Sequence, residues 1–165
     1  LMFAVVVLAW VMVSLPEGAP SQGFFFTLHK SIGLTILLLV AVRLAWRASH
    51  PAPALPSRMA AWERGAARAS HWLLYAILLG MPVSGYVMSA AGGHPVTYFD
   101  LFTLPGLPPN KPLAGNAYAV HVVFGQWAVY ALVALHLLAT AWHVAVRRDA
   151  VLDRMLPPQD AATGV

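Results

Sequence analysis

Three histidines, His121, His136 and His143, stand in one apolar run over residues 116–146. A stretch long enough to cross a bilayer has little reason to carry imidazoles, which are polar, titrate, and need partners in hydrocarbon. His121 and His136 are fifteen positions apart, which on a helix puts them on roughly one face and about 22 Å apart along the axis. His29 lies near the start of a second apolar run, His71 opens a third, and His50 and His94 fall in polar connections. The chain has no cysteine, so disulfides, thiolate-bound iron–sulfur clusters and covalently attached c-type haem are excluded. The chemistry these residues could support is imidazole ligation, and two ligands on one helix, one near each side of the membrane, are what two stacked, non-covalent haems would require.

The elements that must position them are helices in a membrane. Of 165 residues, 59% are hydrophobic and 10% charged, against about 25% charged in soluble domains. Four apolar runs, at about 1–15, 24–46, 71–91 and 117–146, predict an all-α integral membrane four-helix bundle forming a single domain over 1–165. The first run is short for a span, which needs about 20 residues, so further residues are expected before Leu1. Pro82 lies inside the third run, where a membrane helix tolerates it as a kink. The Pro-rich connection at 92–115 is too polar to cross. Its Tyr98, Phe99, Leu101, Phe102, Leu104 and Leu107 suggest that it lies against the mouth of the bundle. The net charge of +4 could suggest nucleic acid, but the cations cluster beside the apolar runs. Arg43, Arg47, Arg58, Arg64 and Arg68 flank the second connection, Arg147, Arg148 and Arg154 follow the last run, and the opposite side has Lys30 and Lys111. The positive-inside rule then places both termini in the cytoplasm, with the spans in contact with lipid and with no nucleic-acid partner.

That orientation sorts the histidines by depth. His29 and His121 each lie a few residues inside spans that run from outside to inside, so they share a level near the outer face. Facing histidines at equal depth make a bis-imidazole haem site; the competing reading is two unrelated interfacial histidines. His136 lies deeper and needs a partner at its own level. His71, at the inner boundary, falls about ten residues too shallow, or roughly 15 Å, and is expected to be interfacial. The partner of His136 is therefore expected before Leu1. His143, two turns beyond His136, could hydrogen-bond a quinone carbonyl or sit among interfacial aromatics such as Trp142. Arg43 is a candidate partner for a haem propionate, or it snorkels toward the surface. Gly33 and Gly125 follow His29 and His121 by four residues; they could clear space for a macrocycle or serve helix packing. His50 and His94 are given no ligand role.

The ordered set LHKSIG, VRLAWRASHPAP, HWLLYAILLGMPVSGY, GGHPVTYFDLFTLP and HVVFGQWAVYALVALHLLATAWH resembles the bacterial cytochrome b561 family, which includes superoxide:ubiquinone oxidoreductases, over nearly the whole chain. The resemblance implies a four-helix bundle with two b-type haems. The outer haem would be held by His29 and His121, and the inner by His136 and a histidine of the first span. In the family that histidine is followed by tryptophan, just before the point where this sequence begins. The position of His143 lies near the ubiquinone site. Bis-histidine ligation leaves no open iron position, which favours electron transfer over oxygen binding. The expectation is transmembrane electron transfer from a periplasmic donor, a small molecule or a protein, to ubiquinone. The resemblance suggests superoxide as donor, drawn to Lys30, Lys111 and His94, and hence a superoxide:ubiquinone oxidoreductase. The alternatives are a haem-b anchor subunit linking a dehydrogenase partner to the quinone pool, and a non-haem proton-coupled carrier using the same histidines.

Overall fold

The computed structural model describes residues 1–50 and 59–148. The Pro-rich connection with Arg58, and the tail from Asp149 with Arg154, lie outside the described residues. Four helical segments make up the bundle: α1 Met2–Ser14, α2 Gln22–Ser49, α3 Ala61–Ala91 and α4 Lys111–Arg147. Helices α2, α3 and α4 are each long and apolar enough to cross a membrane, whereas α1 has 13 residues, about 20 Å of helix. Hydrocarbon offers no partner for main-chain N–H and C=O groups, so apolar sequence of this kind must satisfy them internally as helix.

Large side chains such as Phe3, Leu38, Phe124 and Leu138 are exposed, as a lipid-facing surface requires. Between the helices, Ile36, Val40 and Tyr75 form a small cluster joined by Val5, Ile32, Leu44, Leu78 and Leu79. Much of what is buried is small: Ser31, Ser84, Ser89, Ala90 and Ala91. Small residues let membrane helices approach closely, where van der Waals packing supplies the association energy that hydrophobicity cannot.

The helix ends show how the bundle is pinned. Asn110 caps α4 by accepting the Leu113 N–H at 3.0 Å, with Pro112 in the first turn, where its missing N–H costs nothing. The Asn110 N–H in turn donates to the Ala91 carbonyl at 2.9 Å, so the end of α3 and the start of α4 share one level. At the other side, Glu63 accepts the Ala60 N–H at 2.8 Å and the Arg147 guanidinium at 3.2 Å. The start of α3 is thus tied to the end of α4.

Helix α4 is not uniform. It runs as α-helix over Lys111–Tyr118, widens into π turns over Ala119–Gly125, resumes as α-helix over Gln126–Trp142, and widens again over His143–Arg147. The loop from α3 to α4 holds a two-stranded hairpin, β1 Thr97–Tyr98 with β2 Phe102–Thr103, turning through Phe99 and Asp100 at φ 46 and 57°. It packs on α2. Ser31, fully buried, accepts the Phe99 N–H at 2.8 Å and donates to the Thr97 carbonyl at 3.4 Å. The hydroxyls of Thr35 and Tyr98 meet at 3.1 Å, and Lys30 donates to the Pro95 carbonyl at 3.2 Å.

The helices extend beyond the apolar runs. Helix α3 begins ten residues before His71, and α4 begins at Lys111 instead of about 117. The extra turns of α3, AWERGAARAS, are too charged to register as a span, yet they contain no helix breaker but Gly65.

Candidate functional site: two histidine pairs between the helices

The rings of His29 on α2 and His121 on α4 face each other with centroids 6.1 Å apart and planes at 88°. Each ring is held through the same nitrogen. His29 Nδ1 lies 2.9 Å from the Val5 carbonyl of α1, and His121 Nδ1 lies 2.8 Å from the Met81 carbonyl of α3. A carbonyl can only accept, so each Nδ1 carries the proton and each Nε2 is left with its lone pair. That is the tautomer a metal ligand needs, fixed by an outer-shell acceptor.

Two clefts meet at this pair. A larger one, of about 640 Å³, is lined by His29, His121, Gly33, Gly85, Lys30 and His94 among others. A smaller one, of about 180 Å³, opens toward α1 and is again lined by His29, Gly33 and His121. The two rings and Gly33 therefore form a wall common to both clefts. A metal held between two imidazoles at bonds of about 2.0 Å would set the ring centres about 6 Å apart, and the observed 6.1 Å meets that. The larger cleft falls within the range of about 300–1,000 Å³ usual for cofactor pockets. The tautomers, the spacing and the flanking clefts fit a bis-histidine haem.

Glycines make room for the arrangement, but not quite those picked out by spacing. Gly33 lines both clefts, and a Cβ there would meet no protein atom within 4 Å. Gly125 instead packs α4 on α3: a Cβ would run into Met81 and into the Val120 carbonyl of its own wide turn. The sequence reading missed Gly85. A Cβ on it would lie 2.8 Å from His121 Cε1 and 3.1 Å from its Nδ1, so the absence of a side chain is what lets the ring lie flat on α3.

Deeper in the bundle, the structure corrects the reading of His71. Its ring lies against that of His136, with centroids 5.6 Å apart and planes at 64°. Counting down from the shared level of Ala91 and Asn110, His71 is twenty residues and His136 twenty-six residues along, about 30 and 39 Å at the α-helical rise. The earlier start of α4 makes His136 deeper than the apolar run suggested, and the wide turns shorten α4. Side chains lean toward the N-terminus of their own helix, so on antiparallel α3 and α4 these two lean toward each other.

Arg43 on α2 donates from Nε to the hydroxyl of buried Tyr75 at 3.1 Å, and one turn on the Arg47 guanidinium lies over the rings of Tyr75 and Trp72. His143 is half-buried and opens the second wide segment of α4. His94 is exposed at the rim of the larger cleft, beside which Lys30 is tethered to the hairpin loop. Lys111 is exposed at the start of α4. His50 stacks on Trp46 at the end of α2, with centroids 3.7 Å apart and away from both pairs.

Comparison with known proteins agrees with this architecture. The family model described as prokaryotic cytochrome b561 matches residues 1–158. Cytochrome b561 homolog 2 of Escherichia coli (strain K12) is 34% identical over 139 residues, 84% of this chain and 73% of that protein. A Yersinia pestis protein named "Probable superoxide oxidase CybB" is 28% identical over 159 residues, 95% of this chain and 90% of its own length. Cytochrome b561 homolog 1 of E. coli is 25% identical over 142 residues, 86% and 80% of the two chains. The chain belongs to the prokaryotic cytochrome b561 family, membrane proteins of electron transfer that bind b-type haem.

Proposed function

We propose that this protein carries electrons across a bacterial inner membrane through two b-type haems, from a donor at the outer face to ubiquinone at the inner face. The observation that carries the reading is the geometry of His29 and His121: two imidazoles 6.1 Å apart, each with Nδ1 tied to a main-chain carbonyl, at the meeting of two clefts. Haem bound there supplies one-electron redox chemistry, its iron alternating between ferric and ferrous. His29 and His121 would together hold the outer haem, and ligation by two imidazoles would suit it to electron transfer and not to oxygen binding. Val5 and Met81 hold the rings in place through their carbonyls. His136 would hold the inner haem from α4. Arg43, whose Nε is engaged by Tyr75, keeps its two Nη groups as donors that would receive a propionate. His143, one further step toward the inner face, contacts the quinone.

Both chain termini are cytoplasmic in this reading, because arginines crowd the connection between α2 and α3 and the end of α4. The name of the Yersinia relative supports superoxide as the outer donor. Lys30 and His94 beside the larger cleft would favour such an anion.

The test is spectroscopic. Purified protein should show a Soret band, a b-type α band on reduction, and two haems per chain. His29→Ala and His121→Ala should each remove one haem. Two haems retained in both variants would defeat the ligand assignment. Superoxide should reduce the purified protein, and ubiquinone should reoxidise it. Reduction only in the presence of a co-purifying dehydrogenase would favour an anchor subunit instead.

A further inference from the structure

Ser84 stands where it can tune the ligand strength of His121. Its side chain is buried on α3, and its hydroxyl donates to the Met81 carbonyl at 2.9 Å. The same carbonyl accepts from His121 Nδ1 at 2.8 Å, and Ser84 Oγ itself lies 3.2 Å from that nitrogen. One carbonyl thus serves two donors. On the other ring, His29 Nδ1 has the Val5 carbonyl, with no serine or threonine hydroxyl bonded to that oxygen among the described residues. The two imidazoles are therefore held in the same tautomer by acceptors of unequal strength.

We infer that Ser84 is a positioning residue that weakens His121 as an axial ligand by sharing the Met81 carbonyl with it. This rests on the haem reading of His121. An Nδ1–H pulled harder by its acceptor gives the ring more imidazolate character and makes Nε2 a stronger donor to iron. A carbonyl already engaged by a hydroxyl pulls less. Removing the hydroxyl frees the carbonyl, strengthens the bond at Nδ1, favours ferric iron and lowers the reduction potential. The Ser84 oxygen also offers Nδ1 a second acceptor, with the opposite effect when lost. At 3.2 Å against 2.8 Å it is the weaker of the two, so the carbonyl decides the sign.

Redox titration of the haem-loaded protein, followed optically and by the electron paramagnetic resonance of each ferric haem, tests this. Ser84→Ala should move the midpoint of one haem to lower potential and shift that haem's g-values, while the other haem keeps both. Ser84→Thr, which restores the hydroxyl, should return the midpoint toward the parent value. Ser84→Cys, a weaker donor, should shift it the same way by less, and it carries the test if the alanine variant does not accumulate. An unchanged or raised midpoint with haem retained overturns the inference. So does an equal shift of both haems, or a threonine variant that behaves like alanine, because a packing role alone would produce either. Failure of the haem reading is separate: it is read from His121→Ala keeping two haems.

Discussion

Gly85→Ala offers a direct test of how the outer site is built. The added methyl would sit 2.8 Å from His121 Cε1, 3.1 Å from Nδ1 and 3.4 Å from Nε2. Ordinary contact begins at 3.4 Å, so the ring must retreat by about 0.6 Å or α3 and α4 must part by a similar amount. The ring is not free to retreat, because Nδ1 is bonded to the Met81 carbonyl four residues back on the same helix. Nor can the helices part easily, since Gly125 is already packed against Met81. Overpacking of this kind costs about 1–3 kcal/mol, and at about 1.4 kcal/mol per tenfold haem affinity at His29 and His121 should fall by about 5- to 140-fold. The assay is haem per chain by pyridine haemochromogen, with competition against apomyoglobin to read affinity. Gly80→Ala is the control, because a Cβ there meets nothing within 4 Å. A Gly85→Ala protein with the parent haem content, affinity and spectrum would refute the close approach of α3 to His121.

The other predictions probe different parts of the bundle. Gly33→Leu should leave expression and helix content unchanged, because no protein atom lies near a Cβ there, yet it should abolish haem binding between His29 and His121 by filling the waist of both clefts; this is read from helical circular dichroism alongside the Soret band. Ser31→Ala removes the acceptor of the Phe99 N–H, which should cost about 1–3 kcal/mol for the group left unpaired and raise amide hydrogen exchange over 97–103 while the haem spectrum persists. His136→Ala should remove one haem, whereas His71→Ala should keep two and change only the spectrum of the inner one; loss of a haem in His71→Ala would instead make His71 its ligand.

How much of this was legible in the sequence depends on what each inference needed. The four-helix membrane architecture needed only hydropathy, because a bilayer leaves apolar sequence no other way to satisfy its backbone. The pairing of His29 with His121 needed relative depth, and both lie close to the outer ends of their spans, so small errors in the boundaries hardly moved them. His71 and His136 lie far from those ends, and the same method placed them wrongly. Hydropathy marks where a helix meets lipid, while depth depends on where the helix starts. For α3 the start is ten residues before His71, in a charged stretch containing Glu63, Arg64 and Arg68.

The wide turns of α4 were hidden for a further reason. A π segment over Ala119–Gly125 leaves no mark in composition, yet it decides which way His121 points relative to His136. Its physical trace is Gly125, whose absent Cβ allows the Val120 carbonyl and Met81 to close in on one spot. Gly85 does the same for the His121 ring. Both glycines look, in sequence, like the small residues common in any membrane helix. Only the backbone shows that the pair brackets one element: Gly125 brings α4 onto α3 at Met81, and Gly85 clears the face of α3 on which the His121 ring then lies. The Met81 carbonyl, the Ser84 hydroxyl and the imidazole can share hydrogen bonds because those two side chains are missing. The outer site is therefore a packing solution first, and its ligand chemistry follows from how closely α3 and α4 are allowed to approach.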